Sequence, residues 1–346
     1  MLLVGPVPRL GAPNHLPWLR YTASALRRLG HTVTTTAYRE SWSASPALTS
    51  IASRVAAAPL LARVAAARAA ARDRRVVAAA RRARPELTVV LKGEVFPDEA
   101  IAGLKQFTAG PLVTWWVDDP QVYPASIRQF PMFDRVFLFD RSYMPPLESG
   151  GVKTAFLPCA CDETVYQPQQ LSAAERARLR TDVAFVASCY PQRAALVRAL
   201  APTLDVGVWG NGWAAFSNQM TPRGTPVWRG GLVADHMAAK IYSAAALGLN
   251  LHHPQSRLGG VNTRTFELLA AGTLPLVDRL AGMEELLDPE REVACYTSAD
   301  EARDLAMRYV GDPGARAAIV QRGRARVLAQ HTYVARMREL CRVACG

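Results

Sequence analysis

No stretch of this chain approaches the ~18 uncharged apolar residues that a membrane-spanning helix needs. The start, MLLVGPVPRLG, has no basic n-region and breaks at Pro6 and Pro8, which is not the pattern of a secretory leader. Short-period repeats and low-complexity tracts are missing as well. The six cysteines, at 159, 161, 189, 295, 341 and 345, lack zinc or redox spacing. They read as buried free thiols in a reducing cytoplasm, with contact to a membrane surface as the one qualification to that location. An Asp-x-Asp metal motif is absent too, because Asp118-Asp119 has no spacer. Acidic residues are few, 29 against 41 Lys and Arg, which leaves a net charge of +12.

That imbalance points to anionic partners, and it is uneven along the chain. Residues 51–84 hold nine arginines and one acid, Asp73. Arg68, Arg72, Arg75 and Arg82 share one face of a helix there, with Ala69, Val76 and Ala80 turned away. Such a stripe is either a solvated face or a contact for an anionic carrier or acidic membrane surface. Nucleic acid is not expected, since no aromatics interleave the arginines and no nucleic-acid module signature occurs.

A length of 346 residues predicts two domains. MLLVG reads as a buried strand, followed by a Pro/Gly-rich loop, a helix from Leu16 to Leu29 and the strand HTVTTTAY. This βαβ opening calls for a parallel sheet. A helical stretch, 48–84, should break near Pro59. The runs LTVVLKG, PLVTWWVDD and DRVFLFD end in polar residues, so Lys92, Glu94, Asp118, Asp119 and Asp140 should gather at one sheet edge. After a polar stretch at 167–180 a second series begins. TDVAFVAS, LDVGVWG, LNLHH, TLPLVD and VACY read as strands, and helices alternate with them, one running over DHMAAKIYSAAAL. The fold class is therefore α/β, with two doubly wound, Rossmann-like domains facing a cleft. The boundaries are 1–170 for the first domain, 171–330 for the second, and 331–346 for a helix crossing back to the first domain.

The stretch NTRTFELLAAGTLPLVDR, 262–279, carries the sharpest chemical signal. A helix N-terminus presents unpaired N–H groups and partial positive charge, which suits phosphate. Thr263 or Thr265 can cap it, Asn262 adds a polar group and Arg264 a fixed cation. Glu267, a turn further in, can accept two hydroxyls of a ribose. A capped helix with an acidic first turn would also be stabilising by itself.

The string ELLAAGTLPLV resembles the C-terminal-domain signature of GT-B glycosyltransferases. The fuller GVNTRTFELLAAGTLPLVDR resembles the CgeB-like, spore-maturation-type branch. Supporting motifs follow in order: WWVDDP, DVAFVASCYPQR, VWGNGW and KIYSAAALGLNLHH, then EVACYTSADEARD. The resemblance is dense from about residue 111 onward and weaker before it. It implies a GT-B fold and transfer of a sugar from a nucleotide-diphospho-sugar to a hydroxyl acceptor. Two alternatives accompany that reading: a sugar-nucleotide epimerase of the same fold, and a non-catalytic nucleotide-sugar-binding protein. One position departs from the family. Many retaining members carry a second Glu eight residues before the ribose Glu, where this chain has Gly259, which leaves open the donor sugar and retention of configuration.

Without Asp-x-Asp, no metal or other cofactor is expected, and cations must stabilise the charge that develops on the leaving diphosphate. Arg193, Lys240 and Arg264 are the candidates, with Ser188 and the 262–265 backbone as neutral donors. Gly210 and Gly212 would let the backbone approach a ligand, and Trp213 either stacks on a base or packs into a wall. On the acceptor side the titratable groups are Asp118, Asp119, Glu94 and His15, with Asp119, fixed before a proline, the leading base. His252 and His253 have no third ligand nearby and read as sheet-end residues.

Overall fold

The computed structural model describes residues 1–6, 18–38, 58–256, 258–289 and 291–346, with backbone alone at 58–61. His15 and its loop lie outside the described residues, as does the expected helix start at Leu16. Within them, twelve strands form two six-stranded sheets. The first contains Leu2–Pro6 (β1), Thr34–Tyr38 (β2), Thr88–Leu91 (β3), Leu112–Trp116 (β4), Arg135–Leu138 (β5) and Thr154–Phe156 (β6). Its order is β2-β1-β3-β4-β5-β6, and every pairing is parallel. The second contains Thr181–Val186 (β7), Val206–Trp209 (β8), Trp228–Gly230 (β9), Ala245–Asn250 (β10), Leu274–Asp278 (β11) and Ala294–Tyr296 (β12). Its order, β12-β11-β10-β7-β8-β9, is again all parallel and reverses between β7 and β10. Ligands of open α/β sheets bind at such a reversal, outside the carboxyl ends of the strands.

Fully buried Val, Leu and Phe residues fill both sheets, as parallel strands covered by helices on both faces require. Helix Trp18–Arg28 buries Trp18, Leu19, Tyr21, Thr22 and Leu26 along one stripe, and Trp18 meets Trp115 of β4 edge-on at 5.3 Å.

Helix Ala58–Ala83 begins beside Pro59, which falls in its first turn, where a missing N–H breaks no bond; residues 48–57, on the other side of the expected break, lie outside the described residues. Two local expectations need correction. The alanine run after Tyr242 does not prolong its helix, which stops at Ala244. Ala245–Asn250 instead pairs with β7 and β11, since two flanking ladders outweigh alanine's helical preference. β9, only three residues long, was not foreseen. The thiols also divide: Cys159, Cys161 and Cys295 are buried, Cys189 and Cys341 are half-buried and Cys345 is exposed, and none is in a disulfide.

The chain returns to the first domain at its end. Helix Tyr333–Cys345 sets Tyr333, Met337 and Leu340 into a cluster with Trp18, Leu26 and Trp115. Buried Arg336 anchors it, donating to the Pro158 carbonyl at 2.9 Å and the Gln330 carbonyl at 2.7 Å.

Candidate functional site

The ends of β7 and β10 meet the N-terminus of helix Thr263–Ala270. Asn262 caps that helix, its side-chain oxygen accepting the Arg264 N–H at 3.1 Å. Neither candidate threonine does so. Thr265 is fully buried and accepts from Asn250 at 2.9 Å. Asn250, at the end of β10, also exchanges two hydrogen bonds with Asn262, at 2.9 and 3.1 Å. A polar residue that would be costly to bury alone is thereby satisfied and fixes the cap.

Two guanidinium groups stand over this frame. Arg264 donates to the Val186 carbonyl at 2.8 Å and to Asn250 at 3.0 Å. Arg193, 8% exposed, reaches from helix Pro191–Leu200 to the Leu251 carbonyl at 2.9 Å and the Ser188 carbonyl at 3.1 Å. Burial first, and then the charge of Arg264, lowers the Arg193 pKa to about 10, so it stays charged at neutral pH. Their donors go to carbonyl and amide oxygens. Among the described residues neither makes an ion pair with a carboxylate, although Arg264 feels Glu267 and Arg193 feels Asp278 at longer range.

Glu267 sits one turn in, 7% exposed. Burial raises its pKa to about 7, against the opposing pull of Arg264 and hydrogen bonds from Thr263 and Tyr166. Asp235, at the start of helix Asp235–Ala244, pushes the same way as burial. Tyr21 of the first domain donates to Asp235, and Tyr166 stacks on Tyr242 with ring centroids 6.3 Å apart. Tyr166 thus sits on the Glu267 carboxylate, and Tyr21 holds the neighbouring Asp235 from the first domain.

The facing wall belongs to the first sheet. Lys92, just beyond β3, has φ +65°, a left-handed conformation unusual outside glycine. The turn aims its ammonium at Asp118, 2.6 Å away, and at the Tyr123 hydroxyl, 3.1 Å away. Burial alone would lower the Lys92 pKa, but Asp118 and Glu94 more than offset it and hold it well above the usual value. Asp119, the leading base on sequence grounds, is committed to structure: its carboxylate accepts the Gln121 N–H at 2.9 Å and caps the turn Pro120–Val122. Gln255 of the second domain spans the gap, accepting the Asp119 N–H at 3.3 Å and donating to Asp118 at 3.4 Å. Glu94 lies at this edge beside Tyr38, whose hydroxyl is 3.5 Å away.

Several candidates stand elsewhere or act otherwise. Lys240 pairs with Glu175 at 2.6 Å, against helix Ala173–Leu179 and not with the two arginines. Trp213 is completely buried, donates to the Ala187 carbonyl at 2.7 Å and packs edge-on against Phe185 and Phe216. No ring face is left for a base. Gly210, with φ +141°, serves a close approach to protein backbone: a Cβ there would lie 2.1 Å from the Ala187 carbonyl. Gly212, with φ +83°, sits against Cys189 in the same turn. Ser188 is half-buried, and its carbonyl is held by Arg193.

Asn250, Gln255 and the His252–Asp278 pair were not singled out as site residues on sequence grounds. His252 Nδ1 lies 2.7 Å from the Asp278 carboxylate, while its Nε2 is buried with no hydrogen-bond partner. Both line a cavity of about 310 Å³ that Arg193, Tyr190 and His253 share. Only Asp278, a strand-end acid opposite a strand-end histidine, gave a signal that could have been read.

Residues 192–342 match the family described as glycosyl transferase-like. No curated protein matches the sequence at a significant level. In three dimensions the chain is similar to sucrose-phosphate synthase from Thermosynechococcus elongatus, at 14% identity and a TM-score of 0.63, over 99% of this chain and 98% of that one. It is similar to HepE of Anabaena, solved with UDP-glucose, at 14% identity and a TM-score of 0.60 over 99% of both chains. A third likeness is to α,α-trehalose 6-phosphate synthase from Burkholderia multivorans, at 11% identity and a TM-score of 0.63, over 99% and 95%. Two parallel sheets of six strands, reversed at the cleft and shared with these structures over nearly the whole chain, make the fold GT-B.

Proposed function

We propose that this protein transfers a sugar from a nucleotide-diphospho-sugar to a hydroxyl acceptor, without a metal, and that it is a CgeB-like member of the glycosyltransferases. One observation carries the reading. Arg193 and Arg264, free of carboxylate partners among the described residues, stand at the ends of β7 and β10 beside a capped helix N-terminus. Two cations and a helix end suit a diphosphate and its growing charge as the glycosidic bond breaks. Glu267, with a pKa near 7, offers an acceptor for the ribose diol. UDP-glucose is the first donor to try, because HepE of Anabaena was solved with it and with UDP.

Acceptor chemistry falls to the opposite wall. Lys92 fixes Asp118, whose half-exposed carboxylate is the group we assign to the acceptor hydroxyl. Asp119 and Glu94 support that wall. Calorimetric titration with UDP-glucose in EDTA, followed by UDP release with and without a pool of sugar acceptors, tests the proposal. Binding that requires Mg²⁺ or Mn²⁺ would overturn metal independence. Binding with no turnover would favour a nucleotide-sugar-binding protein, and donor turnover without acceptor an epimerase.

A further inference from the structure

The arginine-rich helix Ala58–Ala83 is 26 residues long, about 39 Å at 1.5 Å per residue. Only its C-terminal half is seated: Val76, Ala79 and Ala80 are buried against the first domain. Residues 62–68 are exposed on every side, and Val64 is 40% exposed. The face named on sequence grounds is partly occupied. Arg72 donates to the Val95 carbonyl and pairs with Asp73, and Arg75 donates to the Ala37 carbonyl at 2.8 Å.

The outward row is a different one. Arg63, Ala67, Ala70, Arg74, Ala78 and Arg81 follow at intervals of three and four along the side opposite Val76 and Ala80. Arg63, Arg74 and Arg81 are exposed, and among the described residues none of them has an ion pair. Beside the row runs a groove of about 570 Å³ between this helix and helix Asp98–Phe107. Val77, Ala78, Ala100 and Phe107 form its apolar wall, Arg74 and Arg81 edge it, and the acids there are Asp73 and Glu99.

We infer that this helix docks the protein on an anionic lipid bilayer, with the arginines among phosphate headgroups and Val64 and the groove against the apolar layer. Charge complementarity selects an anionic partner. The apolar residues interleaved with the arginines, and the groove alongside, favour lipid over a polyanion, which offers charge without an apolar layer. No helix of the described residues is long and apolar enough to cross a membrane, so the contact is a surface one.

Cosedimentation of the full chain with phosphatidylcholine vesicles, with and without phosphatidylglycerol, tests this. Binding should need phosphatidylglycerol and fall at high salt. An Arg63→Gln, Arg74→Gln, Arg81→Gln variant should lose about a hundredfold in partitioning, roughly fivefold per arginine, with an unchanged melting temperature. Removing three exposed arginines elsewhere, Arg128, Arg178 and Arg338, should change it far less. Three results would overturn the inference: no partitioning at low salt, equal binding to phosphatidylcholine alone, or tighter binding to tRNA or polyglutamate than to anionic vesicles.

Discussion

One carboxylate oxygen of Asp140, at the end of the first sheet's fifth strand, accepts the Gly260 N–H at 3.1 Å across the domain boundary. The same oxygen takes the Leu258 N–H at 3.0 Å, while the other caps Ser142. Gly260 has to be glycine here, since a Cβ would lie 2.7 Å from the Phe139 ring and 2.8 Å from that oxygen. Its neighbour Gly259 is under no such constraint, with nothing nearer than 3.7 Å. Gly260→Ala should therefore part the domains and lower the melting temperature, and Gly259→Ala should be silent. Asp140→Ala, which leaves buried amides unpaired, should cost about 1–3 kcal/mol for each lost acceptor. Equal melting curves for the two glycine variants would refute the argument.

Glu267 makes stability depend on pH. Its folded pKa, about 7, lies above the ordinary 4.5, so the native state holds more protons than the unfolded chain between those values. The stability it contributes is fully present below about 4.5 and is lost as pH rises through 7. The difference is on the order of 3 kcal/mol. Glu267→Gln should flatten this part of the profile and be the more stable protein at pH 8. Denaturant titration of both proteins across this window checks it, and parallel curves would count against a buried carboxylate.

The same group should tie nucleotide affinity to pH. Only the ionised form accepts both ribose hydroxyls, so UDP should bind more tightly as pH rises through about 7 and level off about a unit above it. Glu267→Gln should bind tenfold or more weakly at pH 8, from charge-assisted bonds worth about 1.5–3 kcal/mol each. Isothermal calorimetry of the two proteins decides it. A pH-independent affinity would leave Glu267 a structural role alone.

Arg193 and Arg264 are expected to act together on the diphosphate. Arg193→Gln should weaken UDP by about ten- to a hundredfold and uridine very little, because uridine lacks the phosphates. A matching loss for uridine would instead signal a rearranged strand end.

Trp213 should behave in the opposite way. Trp213→Phe removes the donor to the Ala187 carbonyl and should cost about 1–3 kcal/mol of stability while leaving UDP affinity intact. A selective loss of affinity would restore the ring to the base site.

Much of the architecture is legible in local pattern. Apolar runs ending in Lys92, Asp118 and Asp140 announce parallel strands whose polar ends share an edge, and the run 262–278 announces helix then strand. The failures have a common cause. The alanines at 244–246 are locally ambiguous, and β9 is too short to show a period. Within the site, residue type signalled Arg264 and Glu267, because a cation at a helix start runs against the helix dipole and an acid one turn on stands beside it. Nothing local distinguishes Lys240, bound to Glu175, from Arg193, pinned at the strand ends.

What the sequence by itself determined is periodic and local: which segments become strands, where a helix begins and where positive charge is dense. The tertiary structure decided direction and burial. It turned Trp213 into the core, away from the stacking role its residue type suggests, and gave Asp119 a turn to cap. It also brought Gln255, 136 residues away in sequence, to Asp119, and set Tyr166 against Glu267. Desolvation and pairing depend on neighbours that are distant along the chain, so they arise only once the two sheets face each other.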